Sequence, residues 1–244
     1  MKMKPIMKGN KGISVKQVNC NKSKLCNIEL CNILRKETSS ILLLSEPYWY
    51  KKRIPGLPKG YVNLGVPCGR ASIVAPIFMN LVFLPHISSS DFTVALLQQG
   101  NNKIYLVSAY LDINKSVISE QFSTILDFLS QGNKSAILGM DSNAHSVLWG
   151  YPESNNRGEA MEELIFQYDL KILNRGSKPT FQSHVGSSII DITLAMGEVY
   201  EKINHWRVSD RDYFSDHFMI TFYIEGRVPK PPLIKKTNWN KFEK

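Results

Sequence analysis

The stretch Leu138-Gly-Met-Asp-Ser-Asn-Ala-His-Ser-Val-Leu-Trp149 sets an acid, an amide and an imidazole, Asp141, Asn143 and His145, at alternate positions just after the apolar run Ser135-Ala-Ile-Leu. A proton acceptor, a hydrogen-bond donor and a group that titrates near neutrality are what acid-base hydrolysis needs. If the run is a buried strand, its end is where a cleft forms, and alternate spacing favours one common side. Read in isolation, Asp-x-Asn is also a turn cap, with both side chains serving only the backbone. Other polar residues stand in similar places: Asn19, Glu46, Tyr110, Asp191 within Ser188-Ile-Ile-Asp-Ile-Thr193, and Ser215-Asp216-His217.

Each of these lies beside an apolar run that must deliver it. Ile13 to Asn19 alternates apolar and polar residues and predicts a strand ending on Asn19. Ile41 to Leu44 predicts a buried strand delivering Ser45 and Glu46 before Pro47 ends the ladder. Further strands are predicted at Ala71 to Ala75, Leu81 to Leu84, Phe92 to Leu97, Ile104 to Tyr110, Leu170 to Leu173, Pro179 to Gln182, Ile189 to Ala195, Trp206 to Val208 and Phe218 to Ile224. Leu25, Ile28, Cys31 and Leu34 predict a surface helix buried along that stripe; Phe122 to Leu129 and Met161 to Tyr168 predict two more. Pro55 to Gly60 and Gly150 to Gly158 read as loops, and Thr180 to Ile190 as a hairpin turning at Gly186. Many short strands with few helices point to an α/β sandwich rather than a doubly wound sheet.

The 244 residues, 43% hydrophobic, suit one sizeable domain, here residues 12–226 between a flexible basic N-terminus (1–11) and a Pro/Lys-rich linker (227–244). A formal charge of +9 gathers largely at the two ends and admits a polyanionic partner, though lysine excess also serves solubility. Cys20, Cys26, Cys31 and Cys68 make no zinc or disulfide pattern. With no signal peptide or membrane span apparent, an intracellular protein is expected. The absence of a Gly-rich phosphate loop excludes the common nucleotide-cofactor classes.

Taken together and in order, these motifs resemble the endonuclease/exonuclease/phosphatase superfamily, and within it the apurinic/apyrimidinic endonuclease-like domain of non-LTR retrotransposons. The resemblance rests on Gln17-Val-Asn19, Ser45-Glu46-Pro47-Tyr48, Ser108-Ala-Tyr110, Asp141-Ser-Asn143-Ala-His145 with Leu148-Trp149-Gly150, Asn156-Arg-Gly158, Pro179-Thr-Phe181, Ile190-Asp-Ile-Thr193 and Ser215-Asp-His217. It runs from Ile13 to Ile224, and the tail Lys236-Thr-Asn-Trp-Asn-Lys-Phe242 resembles the segment leading toward a reverse transcriptase. Two departures stand out. Met140 intervenes between Gly139 and Asp141, and Asn19 is followed by Cys-Asn-Lys rather than by an acid, which leaves one subsidiary metal contact in doubt.

The resemblance implies a DNase-like four-layered α/β sandwich, two packed mixed sheets flanked by helices. It implies catalytic roles for Asp141, Asn143, His217, Asp191 and Tyr110, with Asp141 serving the attacking water and Asp191 orienting His217. It implies a Mg2+ site, open to Mn2+, at Glu46 with Asn19 and Asp216, and DNA contacts at Thr180 and His145. The expected activity is nicking of one strand of double-stranded DNA to leave a 3′-hydroxyl primer, in the nucleus, for a linked reverse transcriptase acting on element RNA. No membrane partner is expected. An abasic-site repair nuclease, a phosphatase or lipid phosphodiesterase, and a catalytically dead DNA-binding remnant stand as alternatives.

Overall fold

The computed structural model describes residues 12–100, 102–115, 119–226 and 228–229. The expected flexible start (1–11) and nearly all of the expected linker (227–244) lie outside the described residues. In chain order the elements are β1 (Ile13–Asn19), α1 (Lys24–Lys36), β2 (Ser40–Ser45), β3 (Tyr61–Leu64), β4 (Ala71–Pro76), β5 (Val82–Phe83), β6 (Phe92–Gln99), β7 (Asn102–Tyr110), α2 (Glu120–Ser130), β8 (Ser135–Asp141), α3 (Asn156–Gln167), β9 (Lys171–Ile172), β10 (Phe181–Gln182), β11 (Ser187–Ser188), β12 (Asp191–Met196), β13 (Ile203–Val208) and β14 (Ile220–Ile224).

Two six-stranded sheets form, in the orders β13-β14-β1-β2-β4-β3 and β5-β6-β7-β8-β12-β9, with β10-β11 as a separate hairpin. Both sheets are mixed: β1/β2 and β7/β8 run parallel, the other pairs antiparallel. Between the sheets lie Ile13, Val15, Ile41, Leu43 and Ile73 from one and Ala95, Leu97, Leu106, Ile137 and Ala195 from the other. The outer face of the first sheet is covered by α1, that of the second by α2 and α3, giving the four-layered DNase-like sandwich. Strands covered on both faces need apolar residues at every position, and all six residues of β2 are buried.

One polar strut crosses the apolar middle. The Gln17 amide donates to the carbonyls of Met140 (3.2 Å) and Ile192 (3.0 Å) and accepts from the Thr193 hydroxyl at 2.8 Å. A side chain at Gly139 would not fit beside it, because a Cβ there would stand 2.7 Å from Gln17 Oε1 and 2.8 Å from Leu43 Cδ1. The strut thus fixes β1 against β8 and β12, the strands that end in Asn19, Asp141 and begin with Asp191.

Serine and asparagine caps start the helices: Ser23 for α1, Ser119 for α2 and Asn155 for α3 each accept a backbone N–H of the first turn. Three readings of the sequence change here. The buried face of α1 is Cys26, Asn27, Leu30, Cys31 and Leu34, while Leu25 and Ile28 are 57% and 46% exposed. At about 100° per residue Leu25 and Ile28 fall on the side away from Leu30, so the expected stripe mixed two faces. The segment 150–158 is not loop throughout: α3 begins at Asn156, placing Arg157 and Gly158 in its first turn. The edge strand β3, carrying half-buried rather than alternating residues, had no clear signal. The four cysteines are free, three buried and Cys68 exposed.

Candidate active site

Strand register assembles the centre. In the second sheet Tyr110 pairs with Asp141, and Asp141 with Asp191, so three side chains far apart in sequence stand in one row across β7, β8 and β12. In the first sheet the parallel β1 and β2 bring Asn19 beside Ser45, one residue before Glu46. The Asn19 amide closes the gap between sheets, donating to Asp141 Oδ2 at 2.8 Å and reaching Glu46 Oε2 at 3.4 Å.

His217 enters from the loop before β14. Its main chain pairs with Phe181 as an isolated bridge, the Phe181 ring lies 4.9 Å from the imidazole, and Nδ1 is 2.8 Å from Asp191 Oδ2. Burial alone disfavours the imidazolium, but the Asp191 carboxylate outweighs it, and with help from Asp141 and Glu46 raises His217 to about 9. At neutral pH the ring is therefore a cation, oriented through Nδ1, with Nε2 the remaining donor. Asp141 is pushed up to about 7, first by burial and then by the Asp191 charge, against the pull of His217, Asn19 and the Asn143 N–H. Tyr110 is raised to about 12 by burial and then by Glu46 and Asp141, so its phenol stays protonated; the Arg70 guanidinium sits 4.7 Å from its ring.

The alternate spacing of 141, 143 and 145 does not survive as a strand. β8 stops at Asp141, and Asn143 turns into the left-handed region at φ +48. Its N–H is held by Asp141 Oδ1 at 3.1 Å and its amide donates to the Leu111 carbonyl at 3.0 Å. The turn-cap reading and the site reading thus describe the same residues: the cap holds Asn143 next to Asp141. His145 stacks on Tyr151 with centroids 4.0 Å apart, half-buried, its imidazolium disfavoured by burial.

Thr180 lies elsewhere than expected. It is fully buried, and its hydroxyl accepts the backbone N–H groups of Ile190 (3.1 Å) and Asp191 (3.0 Å) while its carbonyl accepts from Phe218 at 2.7 Å. Every polar group it has faces inward, so it positions Asp191 and His217 and offers nothing to a DNA surface. The hairpin above it does turn where expected, with Ser183 N–H bonded to the Gly186 carbonyl at 2.8 Å.

The acids Glu46 and Asp216 form a wetter rim. Glu46 sits at φ +44 with Oε1 3.1 Å from the Lys22 ammonium, and exposed Asp216 accepts from Asn21 at 3.1 Å. Asn21 went unremarked in the sequence except as a missing acid, yet it faces the same carboxylate. Arg70 was missed as well, since it belongs to no periodic pattern, and Arg157 stood in the motif Asn156-Arg-Gly158 without a role of its own. Arg70 binds Asp91 (2.7 Å) and Asp112 (2.7 Å) beneath Tyr110, and Arg157 ties the Leu111 and Ser142 carbonyls (3.2 and 3.1 Å) around Asn143.

The donor set suits a hard divalent cation. It is rich in carboxylate oxygen and free of thiolate, and Asp191 Oδ1 is buried without a hydrogen-bond partner among the described residues. Ligand-type atoms of Asp141, Asp191 and His217 lie within 4.8 Å of one another. This cluster differs from the expected ligands Glu46, Asn19 and Asp216: Asn19 turns its nitrogen to the carboxylates and its oxygen to the Asn21 N–H at 2.7 Å. Asp191 Oδ2 and His217 Nδ1 occupy each other in the buried centre, whereas the Glu46 carboxylate is held, among the described residues, only by a Lys22 side chain that is 68% exposed and by the long contact from Asn19.

Residues 104–221 match the family model described as endonuclease-reverse transcriptase. The chain is 29% identical over 226 residues to a putative 115 kDa protein in type-1 retrotransposable element R1DM of Drosophila melanogaster, covering 86% of this chain and 21% of that protein. It is 29% identical over 170 residues to the RNA-directed DNA polymerase from mobile element jockey of Drosophila funebris, covering 67% and 18%. The chain thus spans about a fifth of the length of these curated relatives. Among solved structures it resembles the endonuclease domain of TRAS1, a telomere-specific non-LTR retrotransposon, with TM-score 0.77 and 27% identity over 88% of this chain and 99% of that one. An AP endonuclease from Leishmania major shares the fold at TM-score 0.69 and 12% identity over 88% of each chain. With its motifs gathered at one end of this sandwich, the chain resembles the endonuclease/exonuclease/phosphatase superfamily, and within it the endonucleases of non-LTR retrotransposons.

Proposed function

We propose that this chain is a divalent-metal-dependent endonuclease that nicks one strand of double-stranded DNA and leaves a 3′-hydroxyl primer for target-primed reverse transcription. The observation that carries this reading is the buried row Asp141, Asp191 and His217, with His217 held cationic and Asp141 poised near neutrality. Asp141 orients the attacking water and takes its proton, a role suited to a carboxyl raised toward the working pH. His217 donates from Nε2 to a nonbridging oxygen of the scissile phosphate, its ring fixed by Asp191. Asn143, through the amide hydrogen not given to Leu111, and Tyr110, through its phenol, donate to the same developing charge. Mg2+ or Mn2+ held by Glu46, with Asn19 and Asp216 beside it, would supply further charge neutralisation.

DNA is the substrate the relatives support, and +9 of formal charge favours it. A linked reverse transcriptase beyond 227–244, element RNA and a nuclear place of action follow from the same reading, with residues 12–226 as the nuclease domain. The described residues contain no helix long and apolar enough to cross a membrane.

Supercoiled plasmid tests it. The wild type should convert plasmid to the relaxed form with Mg2+ and not with EDTA, and Asp141→Ala and His217→Ala should abolish this. A preference for abasic duplex over intact DNA would move the assignment to repair. No cleavage of either by a folded wild type would refute the nuclease assignment.

A further inference from the structure

Tyr50, four residues past Glu46, opens a hairpin that no step of the reaction uses. The Tyr50 N–H donates to the Arg53 carbonyl at 2.9 Å and the Arg53 N–H to the Tyr50 carbonyl at 3.0 Å. Between them Lys51 and Lys52 take φ +48 and +61. Two left-handed residues inside such a pair make a type I′ turn, whose positions favour Asn-Gly. Lysine carries a Cβ and no short side-chain acceptor, so the backbone disfavours each of them there. Two lysines are kept at a tip where their own backbone disfavours them.

The tip is held firmly. On one side the Trp49 indole donates to the Gly69 carbonyl at 2.8 Å; on the other Ile54 is buried, Asn27 donates to the Pro55 carbonyl at 2.8 Å and Arg35 to Gly56 at 3.0 Å. Tyr50 is 56% exposed with the Lys51 ammonium 5.5 Å from its ring centre. Among the described residues, Lys51, Lys52 and Arg53 have no carboxylate within 4.0 Å, whereas Lys22, Arg70 and Lys115 around the cleft are all paired.

Three unneutralised cations and an exposed aromatic ring, presented rigidly beside a phosphodiester-cleaving site, suit a polyanion with flat bases and sugars. We propose that the Tyr50–Arg53 hairpin is a docking element for duplex DNA that grips the phosphate backbone flanking the cleaved bond. This rests on the nuclease reading and extends it. From Glu46 to Lys51 the chain spans at most about 18 Å. With a rise of about 3.4 Å per nucleotide, the hairpin meets phosphates within about five steps of the cleavage site. Ammonium groups on phosphate set register without reading sequence, so target choice lies elsewhere.

The test replaces the tip with the residues its geometry prefers. Lys51→Asn with Lys52→Gly relieves the backbone while removing two charges; Lys51→Gln with Lys52→Gln removes the charges without glycine. Each is compared, in the full chain and with EDTA present, for binding to a labelled duplex of arbitrary sequence across a salt series. Lys103→Gln with Lys202→Gln, where Lys103 lies at the end of β7 away from Tyr110, matches the charge change. The Asn-Gly variant should melt no lower than wild type yet bind at least about tenfold more weakly near 0.1 M salt. Its log–log salt slope should fall by about 1.8, or 0.9 per lost contact. The Gln pair should do the same, and the distant pair should match wild type. Unchanged affinity and slope in both tip variants, or an equal loss in the distant pair, overturns the docking role while leaving the nuclease intact. A wild type that binds no duplex overturns both.

Discussion

Asp141, Asp191 and His217 stand 2%, 2% and 6% exposed, on or against strands whose register fixes them, whereas Glu46, Asn21 and Asp216 sit on turns, the first two at φ +44 and +45. The buried half needs no added group for its geometry: ladder pairing, the Gln17 strut and Thr180 hold it. The rim half is joined by one Asn21 amide, one Lys22 ammonium and the long 3.4 Å contact from Asn19. In the proposed nuclease, a preformed acid-imidazole row would orient the substrate while the looser ring of oxygen donors beside it would adapt to a hydrated cation, which keeps several waters. The contrast predicts that the two halves fail in different ways.

The largest effect should separate them by metal. His217→Ala should lower nicking about 10²–10⁴-fold at every Mg2+ concentration, while Glu46→Gln should lower it about 10–100-fold at limiting Mg2+ and recover as Mg2+ is raised. Equal rescue of both variants by metal would erase the distinction.

The buried half should also govern stability against pH. In EDTA, His217 at about 9 folded against about 6.5 unfolded gives a contribution that is full below pH 6.5 and lost as pH rises through 9, on the order of 3 kcal/mol. Asp141, raised to about 7, has the same sign and loses its contribution as pH rises through 7. Melting temperature should therefore fall from about pH 6 to about 9.5, and His217→Gln should flatten the upper part of that fall. A wild-type melting curve flat across this range would mean the row is not electrostatically coupled.

Thr180→Val keeps the shape but leaves the N–H groups of Ile190 and Asp191 without an acceptor, and should cost about 1–3 kcal/mol in urea unfolding, with Thr180→Ser restoring most of it. The smallest effect belongs to the rim. Asn21→Asp faces Asp216 with a second carboxylate and should destabilise the metal-free protein by about 1 kcal/mol, about 2–4 °C, at low ionic strength. Mg2+ should recover that loss; if it does not, Asn21 and Asp216 do not face the cation.

Much of this was legible in the chain because burial leaves a local trace. The runs 13–19, 41–44, 104–110 and 135–138 read as strands from their alternating or continuous apolar residues, and the first three end where the sequence placed its polar residue, while the fourth extends to Asp141 itself. What misled the local reading was direction. Leu25 and Ile28 are apolar but face solvent, because only the packing of α1 on the first sheet decides which side of the helix is inside. Thr180 sits among the site motifs yet points into the core, because its hydroxyl is needed by the backbone of Asp191.

The sequence by itself determined most of the elements, the resemblance to the superfamily and the acid, amide and imidazole set, since these depend on residue type and on neighbours a few positions away. Only the tertiary structure decided that Asp141 faces Tyr110 and Asp191, that Asn19 bridges two carboxylates, that Asn21 meets Asp216, and that Lys51 and Lys52 crown a strained turn. Those outcomes depend on strand register, on contacts between residues more than 100 positions apart and on the backbone angles the assembled fold imposes, none of which local propensity encodes.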